Sequence, residues 1–124
     1  MNTAIWIVQF LLAAAFGMAG GSKVFGSYES GKEKMAYFED FTPNQIKLIG
    51  TLELLGAMGL ILPSVLEILV WLSPLAAVGL MIVMVGAAQT HLRRGENQMI
   101  VANAILFGLA AFVAYGRFIA EPLT

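Results

Sequence analysis

The chain contains no cysteine. That excludes disulfides, a CxxC redox pair, thiolate zinc sites and iron–sulfur clusters built from its own residues. Charge is scarce as well, at 12% Asp, Glu, Lys and Arg, against roughly 25% in an average soluble domain. Seven Lys and Arg face eight Asp and Glu, so no basic surplus exists to grip a phosphate backbone, and nucleic acid is not an expected partner. One histidine stands alone, with no His or Cys partners for a metal site. No GxGxxG phosphate loop occurs, and no metal, haem or flavin motif is seen. What the sequence does have is apolar surface: 59% hydrophobic residues and a mean hydropathy of +0.81 over 124 residues. One domain is the expectation at this length. A soluble chain so short could not hide that much apolar area, which argues against a soluble enzyme and for a membrane protein.

A membrane-spanning helix needs about 20 apolar residues. Four spans fit, at about residues 3–22, 43–62, 74–93 and 98–118, in one domain covering 1–124. The expected fold is all-α, an integral membrane four-helix bundle. The first span is read as a retained helix, because Met1–Trp6 lacks the positive region of a signal peptide. Thr42-Pro43-Asn44-Gln45 reads as a capping box with Pro at the first helical position, starting the second span at Pro43. Ser64-Val65-Leu66-Glu67 reads as another, starting a short interfacial helix over 64–72 before the third span, with Trp71 as its anchor. The competing reading is one long helix kinked at Pro74. Gly20-Gly21 is expected to end the first helix, and Asn97 to cap the fourth. Residues 32–41 mix charges with aromatics and suit either a short amphipathic surface helix or an anchored loop.

Orientation follows from Lys and Arg. The first and third connections hold Lys23, Lys32, Lys34, Lys47, Arg93 and Arg94; the other side holds only Arg117. Both connections are therefore expected in the cytoplasm, with both termini outside.

Glu53 is the central polar residue. It lies about 15 Å along the second helix from Pro43, at 1.5 Å per residue. A carboxylate at that depth costs on the order of 3 kcal/mol or more, and such groups face the bundle interior and find partners. Ile46, Gly50, Gly56 and Ala57 share its face, and the small residues permit close backbone approach. Lys23 ends the first span on the same membrane side; Gln9 lies fourteen residues earlier near the same face. His91 ends the third span at that level, and histidine exchanges protons near neutral pH. Asn103 lies early in the fourth span. One polar residue per helix at one level suggests a small polar chamber, with Lys23, Glu53, His91 and Asn103 as candidates for ligand binding or proton exchange. The competing reading of each is structural: a packing carboxylate, a snorkelling lysine, an interfacial histidine and an asparagine that ties helices. Met18, Met58, Met81, Met84 and Met99 read as fillers and not as haem ligands. Tyr115 and Arg117 read as an anchor pair at the outer interface. Ala104 and Gly108 form a small-xxx-small pair suited to a homodimer or to packing within the chain.

An ordered set of segments then gives a resemblance. Ala19-Gly20-Gly21-Ser22-Lys23 closes the first span and Gly50-Thr51-Leu52-Glu53-Leu54-Leu55-Gly56 lies in the second. Leu72-Ser73-Pro74-Leu75-Ala76-Ala77 enters the third, His91-Leu92-Arg93-Arg94-Gly95-Glu96 leaves it, and Ala114-Tyr115-Gly116-Arg117 comes late in the fourth. Over nearly its whole length the chain resembles the DoxX-like family of four-helix bacterial membrane proteins. The resemblance implies a bacterial inner-membrane location and carries over Lys23, Glu53 and His91 as characteristic positions. Named members include a membrane subunit associated with thiosulfate:quinone oxidoreductase and proteins of oxidative-stress assemblies; animal relatives act as receptor-assembly chaperones. With no cysteine, a thiol-based role does not transfer.

Three functions compete at this point. One is an accessory subunit of a membrane redox system, with a quinone held by the polar cluster and electrons supplied by a partner subunit. Another is a non-catalytic assembly or chaperone protein. The third, ranked last, is a small proton-coupled transporter; in small multidrug exporters the essential carboxylate lies in the first helix, and here that helix has none.

Overall fold

The computed structural model describes residues 2–34 and 41–122. Four helices are long and apolar enough to cross a membrane. They are α1 (Asn2–Phe25), α3 (Pro43–Leu66), α4 (Leu72–Arg94) and α5 (Asn97–Tyr115), the last extended by one π-helical turn at Gly116–Ala120. A short helix, α2 (Tyr28–Lys34), lies in the first connection ahead of the second and third spans. Much of the predicted amphipathic stretch over 32–41 lies outside the described residues. No strand occurs among the described residues.

The helices alternate in direction. One end of the bundle carries the connections after α1 and α4, here the loop end. The other carries both termini and the turn between α3 and α4, here the terminal end. At 24 residues, α1 and α3 each reach about 36 Å, enough for a hydrocarbon core of about 30 Å.

Local chemistry sets most of the boundaries. The capping box at α3 is complete: Gln45 N–H donates to Thr42 Oγ1 at 3.2 Å, and Thr42 N–H donates to Gln45 Oε1 at 2.9 Å. The helix then runs through Pro63 to Leu66, so Ser64 forms part of its last turn. Glu67 ends it in the left-handed region at φ 56°, its N–H reaching Pro63 O. Residues 67–71 are turns, with Leu69 also at positive φ, and α4 begins at Leu72, two residues before Pro74. Gly95, at φ 73°, closes α4 by donating to His91 O and Leu92 O.

Two local expectations are corrected. Gly20-Gly21 does not end α1, which stays helical to Phe25, because a neighbouring helix packs on Gly20. Asn97 is the first residue of α5 and not its cap; Glu96 holds the cap position without a side-chain cap bond. Its carboxylate is engaged instead by His91 and Arg94.

The tightest crossing joins α1 and α3. A Cβ on Gly50 would stand 2.6 Å from Lys23 Cβ and 2.9 Å from Gly20 O, and one on Gly20 would stand 2.6 Å from Gly50 O. Two glycines are thus what bring these backbones together. Toward the terminal end the interior is apolar and filled by Leu12, Phe16, Ala57, Leu60, Ala77, Leu80, Ala110 and Val113, with Met84 above them. Large apolar side chains such as Leu48, Leu55, Ile82, Ile105 and Ile119 point outward, as a bilayer-facing surface requires.

Candidate functional site

The loop half of the bundle is not filled. A cavity of about 490 Å³ opens there between α1, α3, α4 and α5. That size lies within the range of small-molecule sites. Phe16 and Met84 border it, and its walls are mostly apolar, with Ala15, Ala19, Ile49, Leu52, Val83, Ala87, Ala102 and Leu106. Its polar lining is Lys23, Glu53, Thr90, His91, Arg93 and Asn103. All four candidate residues read from the sequence therefore border one cavity, each from a different span.

Their individual settings differ. Lys23 Nζ donates to Glu53 Oε1 at 2.6 Å, and both residues are buried, at 8% and 3% exposure. The bond exists because the Gly20–Gly50 contact sets the two helices at close range three residues before each partner. A buried pair of this kind gains little over an apolar pair, yet losing one partner is costly. His91 is buried, and its Nδ1 lies 2.8 Å from Glu96 Oε1 across the Gly95 turn. A carboxylate on one ring nitrogen fixes the orientation of the imidazole. Glu96 is part-exposed and also approaches Arg94, Nε to Oε1 at 3.5 Å. Thr90 spends its hydroxyl on Gly86 O of its own helix.

Asn103 is the exception. It is 6% exposed, and its Nδ2 has no hydrogen-bond partner among the described residues. An unmet buried donor costs about 1–3 kcal/mol.

A second polar cluster closes the terminal end, and here the sequence reading is corrected. Arg117 is not an outer anchor; it is 4% exposed, while Tyr115 beside it is exposed. Arg117 Nε donates to Gln9 Oε1 at 2.7 Å, and Nη1 donates to Asn2 Oδ1 at 2.7 Å and to Glu121 O at 2.9 Å. The guanidinium lies 5.1 Å from the Trp6 ring centre. Gln9 Nε2 in turn donates to Leu60 O at 2.5 Å and to Ser64 Oγ at 3.2 Å, and Ser64 and Ser73 share a hydrogen bond of 2.6 Å. Gln9 therefore belongs to this cluster. The available signal was Gln9, Ser64, Ser73 and Arg117 at one membrane depth. The π-helical turn that swings Arg117 inward has no such signature. Gly116 allows it, since a Cβ there would collide with Ile5.

Among the described residues no group of three or more His, Cys, Asp or Glu side chains could hold a metal ion. The arrangement can instead receive a mainly apolar molecule and offer it polar contacts at one end.

Fold and site together define a small integral membrane protein: four spanning helices, packed toward one end and with a cavity toward the other. The model of the DoxX-like family matches residues 7–113, and the chain belongs to that family. No curated protein and no solved structure was found to match it.

Proposed function

We propose that this protein is an accessory subunit of a quinone-linked redox system in the bacterial inner membrane, holding a lipophilic ligand in the loop-end cavity. The observation that supports this most is the cavity itself: about 490 Å³, apolar along its walls, with Lys23, Glu53, His91 and Asn103 at its border. A quinone suits such a space, with its ring and tail on apolar walls and its carbonyls near polar groups. Reduction of a quinone to a quinol takes two electrons and two protons. In this reading the electrons come from a redox partner subunit, and Glu53 and His91 exchange the protons. The loop end faces the cytoplasm in this reading.

The test is mass spectrometry, with an absorbance spectrum, on protein extracted gently with native lipids. The expected result is a stoichiometric quinone or related lipophile, reduced in Glu53→Gln. Bulk phospholipid alone, with a co-purified protein, contradicts the redox reading and favours a second one.

In that second reading the protein is an assembly or chaperone subunit. The Lys23–Glu53 pair favours it, because the two groups satisfy each other at the tightest helix crossing, as a structural lock does. The reading expects a stable protein complex that is lost with the pair, and no bound small molecule.

A further inference from the structure

We infer that the cavity selects a neutral lipophile bearing a carbonyl or a phenolic hydroxyl, and that Asn103 is the residue that reads this group. The inference rests on the ligand-binding reading above and specifies the ligand's chemistry.

Charge decides the class. Lys23 and Glu53 are joined at 2.6 Å and cancel each other at the cavity wall. His91 has a carboxylate neighbour in Glu96 at 2.8 Å. Arg93, the remaining ionisable residue on the lining, is exposed at the loop end. Among the described residues, the buried part of the site thus offers neither an uncompensated cation for a fatty acid nor an uncompensated anion for an alkylammonium ion. Burying either headgroup there would leave a charge unpaired.

Asn103 is a cavity-lining polar group with hydrogen-bonding capacity to spare among the described residues. It is more than nine-tenths buried, lines the cavity, and has an amide nitrogen without a partner among the described residues. An amide carries both a donor and an acceptor, and a half-turn about its terminal bond exchanges them. Asn103 can therefore donate to a ring carbonyl or accept from a phenolic hydroxyl. One side chain serves both members of a quinone–quinol couple without any change of charge. The surroundings support this arrangement: Ala102 and Leu106 adjoin it on α5, and Ala87 lines the cavity from α4, leaving the ligand's ring apolar walls.

The experiment is equilibrium binding of four probes to the purified full-length protein in lipid nanodiscs. They are a decyl-substituted benzoquinone, the matching hydroquinone, dodecanoate and dodecyltrimethylammonium. The expected result is binding of the quinone and the hydroquinone in mutual competition, with no displacement by the acid or the cation. Asn103→Leu weakens both by about tenfold, the value of one hydrogen bond of typical strength. Asn103→Ser, which restores a hydroxyl donor and acceptor, recovers part of the loss. Displacement by dodecanoate or by the ammonium ion overturns the inference, as does unchanged quinone binding in Asn103→Leu, and in both cases the ligand-binding reading survives. Failure of the wild type to bind any probe overturns that reading and the inference with it. If Asn103→Leu does not fold, the wild-type competition and Asn103→Ser decide the matter.

Discussion

Lys23 on α1 and Glu53 on α3 meet at 2.6 Å inside the bundle, each three residues later in sequence than a glycine of the Gly20–Gly50 contact. The geometry is causal in one direction. Without two residues lacking Cβ atoms the backbones could not approach, and without the approach the ammonium would not reach the carboxylate. The pair in turn forms part of the wall of the cavity that the proposed function uses.

Breaking the pair from one side should be worse than removing it. Lys23→Met or Glu53→Leu alone breaks the buried pair from one side, and each is expected to cost about 3–5 kcal/mol. The double variant should recover most of that loss. Unfolding in mixed detergent, run as a double-mutant cycle, measures the coupling. A double variant whose cost equals the sum of the singles contradicts the pair's role.

The crossing makes a sharper prediction about glycine. Gly50→Ala forces a new Cβ against Lys23 and Gly20 O, and Gly20→Ala forces one against backbone atoms of Gly50 and Leu54. Each is expected to lose about 1–3 kcal/mol through overpacking. Gly79→Ala and Gly108→Ala meet nothing within 4 Å and should be neutral or slightly stabilising. Thermal unfolding of the four variants separates the two classes.

At the terminal end Arg117 ties the last turn to α1 through Gln9 and Asn2. Lysine cannot reproduce the fork. Arg117→Lys should therefore destabilise by about 1.5–3 kcal/mol, the value of a hydrogen bond to a charged group. Hydrogen exchange should also quicken at the start of α1 while the loop end is unaffected. Protection unchanged at residues 2–9 in Arg117→Lys contradicts the tie.

Orientation can be tested without a background signal because the chain has no cysteine. Ser30→Cys lies on the exposed side of the first connection, and Pro122→Cys lies beyond the last turn. With the loop end cytoplasmic, a membrane-impermeant maleimide added to intact cells should label the second variant and not the first. The reverse pattern inverts the topology.

Much of this protein is legible because a bilayer simplifies the reading. Spans must be long, apolar and helical, so four of them could be placed from hydropathy. A carboxylate in one of them had to point inward, as Glu53 does. The capping box at Thr42 and Gln45 is local chemistry and was equally readable. Harder features depended on tertiary contacts. Gly20-Gly21 looks like a helix end until Gly50 is seen packed against it. Gln9 shares a helix face with Lys23 in the sequence, but its partners Leu60, Ser64 and Arg117 are known only from the fold. Arg117 looks like an interfacial anchor because the π-helical turn that buries it leaves no trace in sequence periodicity. Asn103 could be singled out, but its unmet amide nitrogen depends on what surrounds it in space.

The most direct test of the central claim is photocrosslinking with an azido-quinone in native membranes, followed by mapping of the labelled residues. The account predicts label concentrated on cavity-lining positions such as Leu52, Met84, Met99 and Leu106, and competed away by excess unlabelled quinone. Label spread over lipid-facing residues such as Met18, Ile82 and Ile105, unaffected by competitor, would contradict it.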